Sequence, residues 1–144
     1  RKRMPRKMTR QEAYEFLDSK PGWITLSTIG PDGYPHTVPL GYFRFGDQIL
    51  MGVRSGTRKV KNIQANPRVT LLLESGKKGE DIKGLMIQGI ATVHTDPDET
   101  LRDAREAARL RGVPEAELPT EPRQNAAYVR VGPQVFRSWD YSED

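Results

Sequence analysis

Apolar positions follow a helical rhythm only briefly at the start of the chain. Ala13, Phe16 and Leu17 form a short stripe behind Thr9-Arg10-Gln11-Glu12. That run is a capping box: the Thr hydroxyl accepts from the third helical amide and the Glu carboxylate reaches back. Pro21-Gly22 ends this helix. Alternation of period two then takes over. Across 23–29, Trp23, Thr25, Ser27 and Ile29 share one face, and Ile24, Leu26 and Thr28 the other. Pro31-Asp32-Gly33 is a turn, because Pro presets φ and Gly tolerates positive φ. Residues 35–45 form a second strand, in which Pro39 marks an edge or a bulge. Gly46-Asp47 turns the chain into a third strand, 48–53.

Residues 54–56 lead into a short helix over about 57–65, buried through Val60 and Ile63 and stopped by Asn66-Pro67. A buried strand, 69–73, and a long one, 85–94, flank a polar loop, 75–83; Gly89 marks a bulge. Asp96-Pro97 opens a helix over about 98–111, with acids near its start and arginines toward its end, as the helix dipole favours. The three prolines of 112–124 make it an irregular connection. Strands 127–131 and 135–139, parted by Gly132-Pro133, complete the pattern. About seven short strands with hairpin turns and short helices predict a mainly β (α+β) fold, a small antiparallel barrel with helical additions. Closure removes edges that such strands would otherwise expose.

The 144 residues are one domain's worth, read as a flexible basic arm, 1–8, and a single domain, 9–144. Only 35% of residues are strongly apolar, so a stabilising partner surface, most simply a second copy, is expected. With no cysteine, disulfides, thiolate metal sites and cysteine nucleophiles are excluded. No stretch approaches the roughly 20 apolar residues of a membrane span, and no apolar signal-peptide core follows the basic start. A cytoplasmic protein fits. The net charge of +4 is unevenly spread: residues 1–10 hold six basic groups and no acid, while 11–144 hold 17 basic and 19 acidic ones. Arg54, Arg58, Lys59, Lys61 and Arg68 form a second basic cluster with no acid between them, and a fold can aim it.

Ser55-Gly56-Thr57-Arg58-Lys59 sits where a strand enters a helix. Helix N-termini present free amides and partial positive charge, and hydroxyls with two cations add donors suited to a phosphate. The alternative is an ordinary N-cap at Thr57 beside solvated cations. The neighbouring strand run His36-Thr37-Val38-Pro39 could support a flat ring, or His36 could simply be half-exposed. Nothing pairs His36 with a nucleophile, and two histidines without cysteine predict no metal site. Trp139 is either a lid on the core or an aromatic wall for a ligand, and Gln88 either faces a pocket or solvent.

At these residues the chain resembles the pyridoxamine-5′-phosphate oxidase-like superfamily of split β-barrels of the FMN-binding type. The carrying runs are 29–36 (Ile29-Gly30-Pro31-Asp32-Gly33-Tyr34-Pro35-His36), Lys59-Val60-Lys61-Asn62-Ile63 with Asn66-Pro67-Arg68-Val69, 83–89 around Gln88-Gly89, and Arg137-Ser138-Trp139-Asp140. The resemblance implies a homodimer with a cofactor groove at its interface. It implies that Thr57, Arg58 and Lys59, with Val53, Arg54 and Ser55 before them, hold a phosphate. His36, Thr37, Val38 and Pro39 then line the ring, Gln88 lies near the ring edge, and Trp139 comes from the second subunit.

The vitamin-producing oxidases carry Arg and Lys where Val38 and Phe43 stand here, and their closing Arg-x-His is missing, so pyridoxine phosphate oxidation is not expected. The pattern is closer to the flavin/deazaflavin oxidoreductase branch. The implied activity is hydride transfer to a small conjugated substrate with the deazaflavin coenzyme F-420, whose phosphate and acidic glutamate tail suit the cluster from Arg54 to Lys61. FMN is the alternative cofactor. No catalytic acid or base is named, because the cofactor carries the redox chemistry. A nucleic-acid-binding barrel is the remote alternative, disfavoured because no aromatics interleave with the cations. Substrate choice falls to the groove walls and to loops such as 75–83 and 112–124.

Overall fold

Strands form where alternate residues can be buried on one side, and the alternation of β1 does so: Ile24, Leu26 and Thr28 are buried while Trp23 and Ile29 are exposed. The computed structural model describes residues 4–78 and 81–142. Seven strands form one antiparallel sheet: β1 (Ile24–Ile29), β2 (Pro35–Leu40), β3 (Phe43–Phe45), β4 (Gln48–Arg54), β5 (Arg68–Ser75), β6 (Lys83–His94) and β7 (Ala126–Asp140). Their order is β2-β1-β5-β6-β7-β4-β3. The two edge strands, β2 and β3, are parted in the chain only by Gly41 and Tyr42, so the sheet must curl until its edges meet at that corner. The result is the expected mainly β split barrel with short helices, α1 (Arg10–Ser19), α2 (Arg58–Ala65) and α3 (Pro97–Leu110).

The inner faces of β1, β4, β5, β6 and β7 meet in a core built on Leu26, Met51, Leu71, Ile87 and Val129, closed by Leu17 of α1. Each of these side chains is at most 1% exposed and is worth about 1.5–3 kcal/mol of burial. α1 starts with the predicted box: the Glu12 amide donates to Thr9 Oγ1 and the Thr9 amide to Glu12 Oε1. It ends at Lys20, directly before Pro21-Gly22, where Lys20 adopts the left-handed conformation. The helix seals the barrel corner, where the Tyr42 hydroxyl donates to the Leu17 carbonyl at 2.6 Å. α2 packs on β1 and β6, and the buried Asn62 amide donates to Thr28 Oγ1 at 3.0 Å.

Three expectations differ from the structure. The run 35–45 is two strands, because the chain turns the barrel corner at Gly41-Tyr42. The last two strands are one, β7, which bridges β4 and β6 in its first half and follows β6 alone in its second. Gln88 faces Val135 and Gly89 faces Pro133, so the extra residue of the bulge is Gln134 on β7. Gly89 is what lets the strands close there: a Cβ on it would lie 2.5 Å from the Gly132 carbonyl oxygen. Finally, residues 4–8 do not form part of a free arm. Arg6 pairs its backbone with Asp140 through hydrogen bonds of 2.9 and 2.8 Å, its guanidinium forks onto Glu12, and the Met8 amide donates to Ser138 Oγ. Residues 1–3 of the expected arm, and 79–80 of the expected loop, lie outside the described residues.

The outer face of the sheet is short of charge. One row across five strands reads Pro39, Thr25, Leu72, Met86 and Arg137; the next reads Thr37, Ser27, Thr70, Gln88 and Val135. Among the described residues, no helix is long and apolar enough to cross a membrane.

Candidate functional site

A groove of about 800 Å³ runs along the side of the barrel. Its floor is the end of β4 and the start of β7, where Gly52, Val53, Ala126 and Ala127 offer little bulk. One wall is α3, through Thr100, Ala104 and Ala107, with Arg111 at its C-cap; the far rim is the segment 119–125. Thr57 and Lys59 close one end and Leu40 of β2 borders another side. Small side chains on floor and wall keep the groove open, and its volume falls in the range of ligand sites, about 300–1,000 Å³.

The strand-to-helix junction is held in place from both sides. Gly56 takes the positive φ of +80° that turns the chain. The Ser55 amide donates to the Asn125 carbonyl at 2.9 Å, tying the junction to the far rim. Thr57 stands at the N-cap position of α2, but its hydroxyl donates to the Arg54 carbonyl at 2.9 Å and caps no helical amide. The ordinary N-cap reading therefore does not account for it. Arg58 and Lys59 occupy the first turn, with no acid there, although the helix dipole disfavours cations at that end by about 0.3–1 kcal/mol each. A bound anion would reverse that sign.

Four cations line the groove, Arg54, Lys59, Arg111 and Arg123, against one carboxylate, Glu121. Among the described residues no acid pairs with any of the four. Tyr128 reaches the groove beside Gly52; burial, reinforced by the negative charge of Asp103, raises its phenol above the ordinary value. It stays protonated and able to donate.

Of the residues singled out in the sequence, Val53, Arg54, Thr57 and Lys59 meet in the groove, with Ser55 held in the loop beneath. Arg58 is exposed and outside the lining, as are Lys61 and Arg68, so the basic cluster is not one patch. The run 36–39 is divided by the strand pleat. His36 and Val38 share the face of Thr28, Leu26 and the groove residue Leu40, whereas Thr37 and Pro39 lie on the outer face, where Thr37 pairs its hydroxyl with Ser27 at 2.8 Å. His36 Nδ1 is buried without a protein partner. Gln88 and Trp139 are also on the outer face, away from the groove of their own chain. The Trp139 ring lies across Gly84, whose absent side chain makes room for it: a Cβ there would be 2.1 Å from the indole.

Sequence reasoning did not single out Arg111, Arg123, Ala107 or Tyr128. Their segments carry helical periodicity, prolines or strand alternation, none of which reveals that α3, packed on β7, and 119–125 enclose one groove with the end of β4. Among the described residues no cluster of metal-ligating side chains occurs.

A family model described as pyridoxamine 5′-phosphate oxidase matches residues 9–131. No curated protein matches the sequence significantly. Among solved structures, a conserved hypothetical protein of Mycobacterium tuberculosis superposes with a TM-score of 0.81 at 25% identity, covering 98% of this chain and 90% of its own. An F-420 reductase superposes with a TM-score of 0.65 at 24% identity, over 87% of this chain and 96% of that one. A FAD-binding protein of Mesorhizobium loti gives a TM-score of 0.69 at 20% identity, over 93% and 94%. The last two likenesses establish the fold.

Proposed function

The chain belongs to the pyridoxamine 5′-phosphate oxidase family, and from that premise we propose that it is a cytoplasmic, homodimeric oxidoreductase that binds a flavin-type cofactor, the deazaflavin F-420, and serves hydride transfer to a small conjugated substrate. The observation that carries this reading is the groove itself: a slot floored by small residues and lined by four cations, none of them in an ion pair among the described residues. The residues fit the group. Lys59 and Arg54, at the mouth of α2, are placed to neutralise a phosphate. Arg111 and Arg123 extend the positive lining along the wall and rim. FMN offers one anionic group to such a lining, whereas F-420 adds an acidic tail, which favours F-420. One structural neighbour is itself an F-420 reductase.

When bound, the cofactor ring supplies the hydride chemistry. The protein's share is to hold the ring and keep water from it. The protonated Tyr128 hydroxyl, which lines the groove, is available to fix a polar atom there. The dimer is supported by the outer sheet face, where two rows of five residues contain one charge, Arg137. That face also carries Gln88 and Trp139, so a partner seated on it would have both within reach.

The test is a titration of the purified protein against F-420 and FMN side by side. Tighter binding of F-420 is expected, with colourless apoprotein from a host lacking the deazaflavin. Yellow protein that retains FMN through purification would transfer the assignment to FMN, which the FAD-binding neighbour makes the second reading. Binding of neither would refute the proposal.

A further inference from the structure

Beside the groove lies a second pocket of about 440 Å³, which shares Gly52, Ala107, Arg111 and Tyr128 with it. Its walls are aromatic. Trp23, 71% exposed, stands at the rim; Tyr42 and Phe43 form the floor; Phe43 and Tyr128 meet edge to face with ring centroids 6.3 Å apart. Two cations reach it, Lys20 and Arg111, and no acid lines it among the described residues. The nearest carboxylate on the same helix, Asp18, is already forked by Arg44 at 2.9 and 2.6 Å. Lys20 sits 5.7 Å from the Tyr42 ring. Burial, and then the charge of Arg111, lowers its ammonium below the ordinary value, with Asp18 opposing less strongly from outside the pocket, so the lining brings two like charges together.

The glycines of this pocket point the same way. Gly22 and Gly41 both line it, and neither has a positive φ. A Cβ on either would meet nothing within 4 Å. Neither turn geometry nor close packing therefore calls for glycine there; the absent side chains leave the pocket open.

We propose that this pocket is the substrate subsite, and that it takes a planar conjugated molecule bearing a single anionic group such as a carboxylate. The ring system rests among Trp23, Tyr42, Phe43 and Tyr128, where π faces offer stacking. The anion sits between Lys20 and Arg111. The shared wall at Gly52 and Tyr128 brings the substrate edge to the cofactor slot. This rests on the cofactor reading above for its meaning as a substrate site, but the binding itself is independent of it.

Isothermal titration of the apoprotein with 2-naphthoate and with its neutral carboxamide tests the subsite. The acid is expected to bind at least about tenfold more tightly than the amide, the size of one charge-assisted hydrogen bond. Lys20→Gln should remove about that preference. Gly41→Leu, which fills the pocket without straining the backbone, should abolish naphthoate binding while its melting temperature and cofactor affinity stay those of the wild type. Equal affinity for acid and amide, or naphthoate binding untouched by Gly41→Leu, would overturn the proposal. So would naphthoate affinity that falls as protein concentration rises, since a second copy would then cover the pocket. The two readings fail separately. Loss of cofactor binding in wild type with pocket-dependent naphthoate binding sinks the cofactor assignment alone; the reverse pattern sinks the subsite alone.

Discussion

Replacing Lys59 by alanine removes a half-buried cation from the groove wall, two residues beyond the N-cap of α2. A unit charge about 4 Å from a phosphate oxygen is worth about 4 kcal/mol at an effective dielectric constant near 20. The groove is open to water, so the working figure is that of a hydrogen bond to a charged group, about 1.5–3 kcal/mol. The cofactor dissociation constant should therefore rise roughly 10- to 150-fold. Stability should not fall with it: a lysine in the first turn opposes the helix dipole, and its loss should leave the apoprotein as stable as before or more so by a few tenths of a kcal/mol. Lys61→Ala is the matched control. It deletes the same charge from the same helix, but Lys61 is exposed and outside the groove lining. At about 0.15 M salt, where screening acts over roughly 8 Å, it should change affinity by no more than about twofold. Cofactor titrations at that salt, with thermal melts of each variant, decide the matter. Equal losses from both variants would mean that only the general field attracts the cofactor. No loss from Lys59→Ala would refute the phosphate site.

Two predictions concern the frame around the site. Gly89→Ala sets a methyl group 2.5 Å from the Gly132 carbonyl oxygen and 2.9 Å from Val131 Cγ1; because backbone must move, it should cost about 1–3 kcal/mol in urea denaturation, and an unchanged midpoint would contradict the bulge geometry. The carboxyl of Glu12 is held at about 2, against an ordinary 4.5, chiefly by the Arg6 guanidinium and then by the Thr9 amide; its contribution is complete above the ordinary value and is lost as pH falls through about 2. Amide exchange at Arg6 should accelerate over that acid range, and Glu12→Gln should show the fast exchange already at neutral pH; a bridge indifferent to both would remove Glu12 from the clamp.

Signals that depend on a few consecutive residues were legible in the sequence. The capping box at Thr9 and Glu12 satisfies its own amides within one turn, so Thr9-Arg10-Gln11-Glu12 suffices to specify it. The inward set Ile24, Leu26 and Thr28 follows from the pleat. Pro39, which has no amide to give a further strand, marked β2 as an edge or a bulged strand, and the sheet order makes it an edge. The strand-to-helix junction at Thr57 and Lys59 was visible for the same reason, because a strand end, a glycine turn and a helix start are adjacent in the chain.

What the sequence could not decide was which distant segments share a space. Residues 35–45 look like one strand until the barrel has to turn a corner at Gly41-Tyr42, and 127–139 look like two until β6 supplies a continuous partner. The pleat of β2 separates His36 and Val38 from Thr37 and Pro39, although all four are neighbours in the chain. Gln88 and Trp139 share an outer face only because β6 and β7 pair in a particular register. The groove itself exists because α3 packs on β7 and, with 119–125, borders the end of β4, placing Arg111, Arg123 and Tyr128 together in a way that no local pattern announces. Local sequence set the capped turns, the pleated faces and the cationic junction, since each is decided by contacts within a few residues. The walls of the groove join residues 40, 52, 104, 111, 123 and 128, and the aromatic pocket beside it joins 20, 41, 52, 111 and 128; only the closed barrel brings those together.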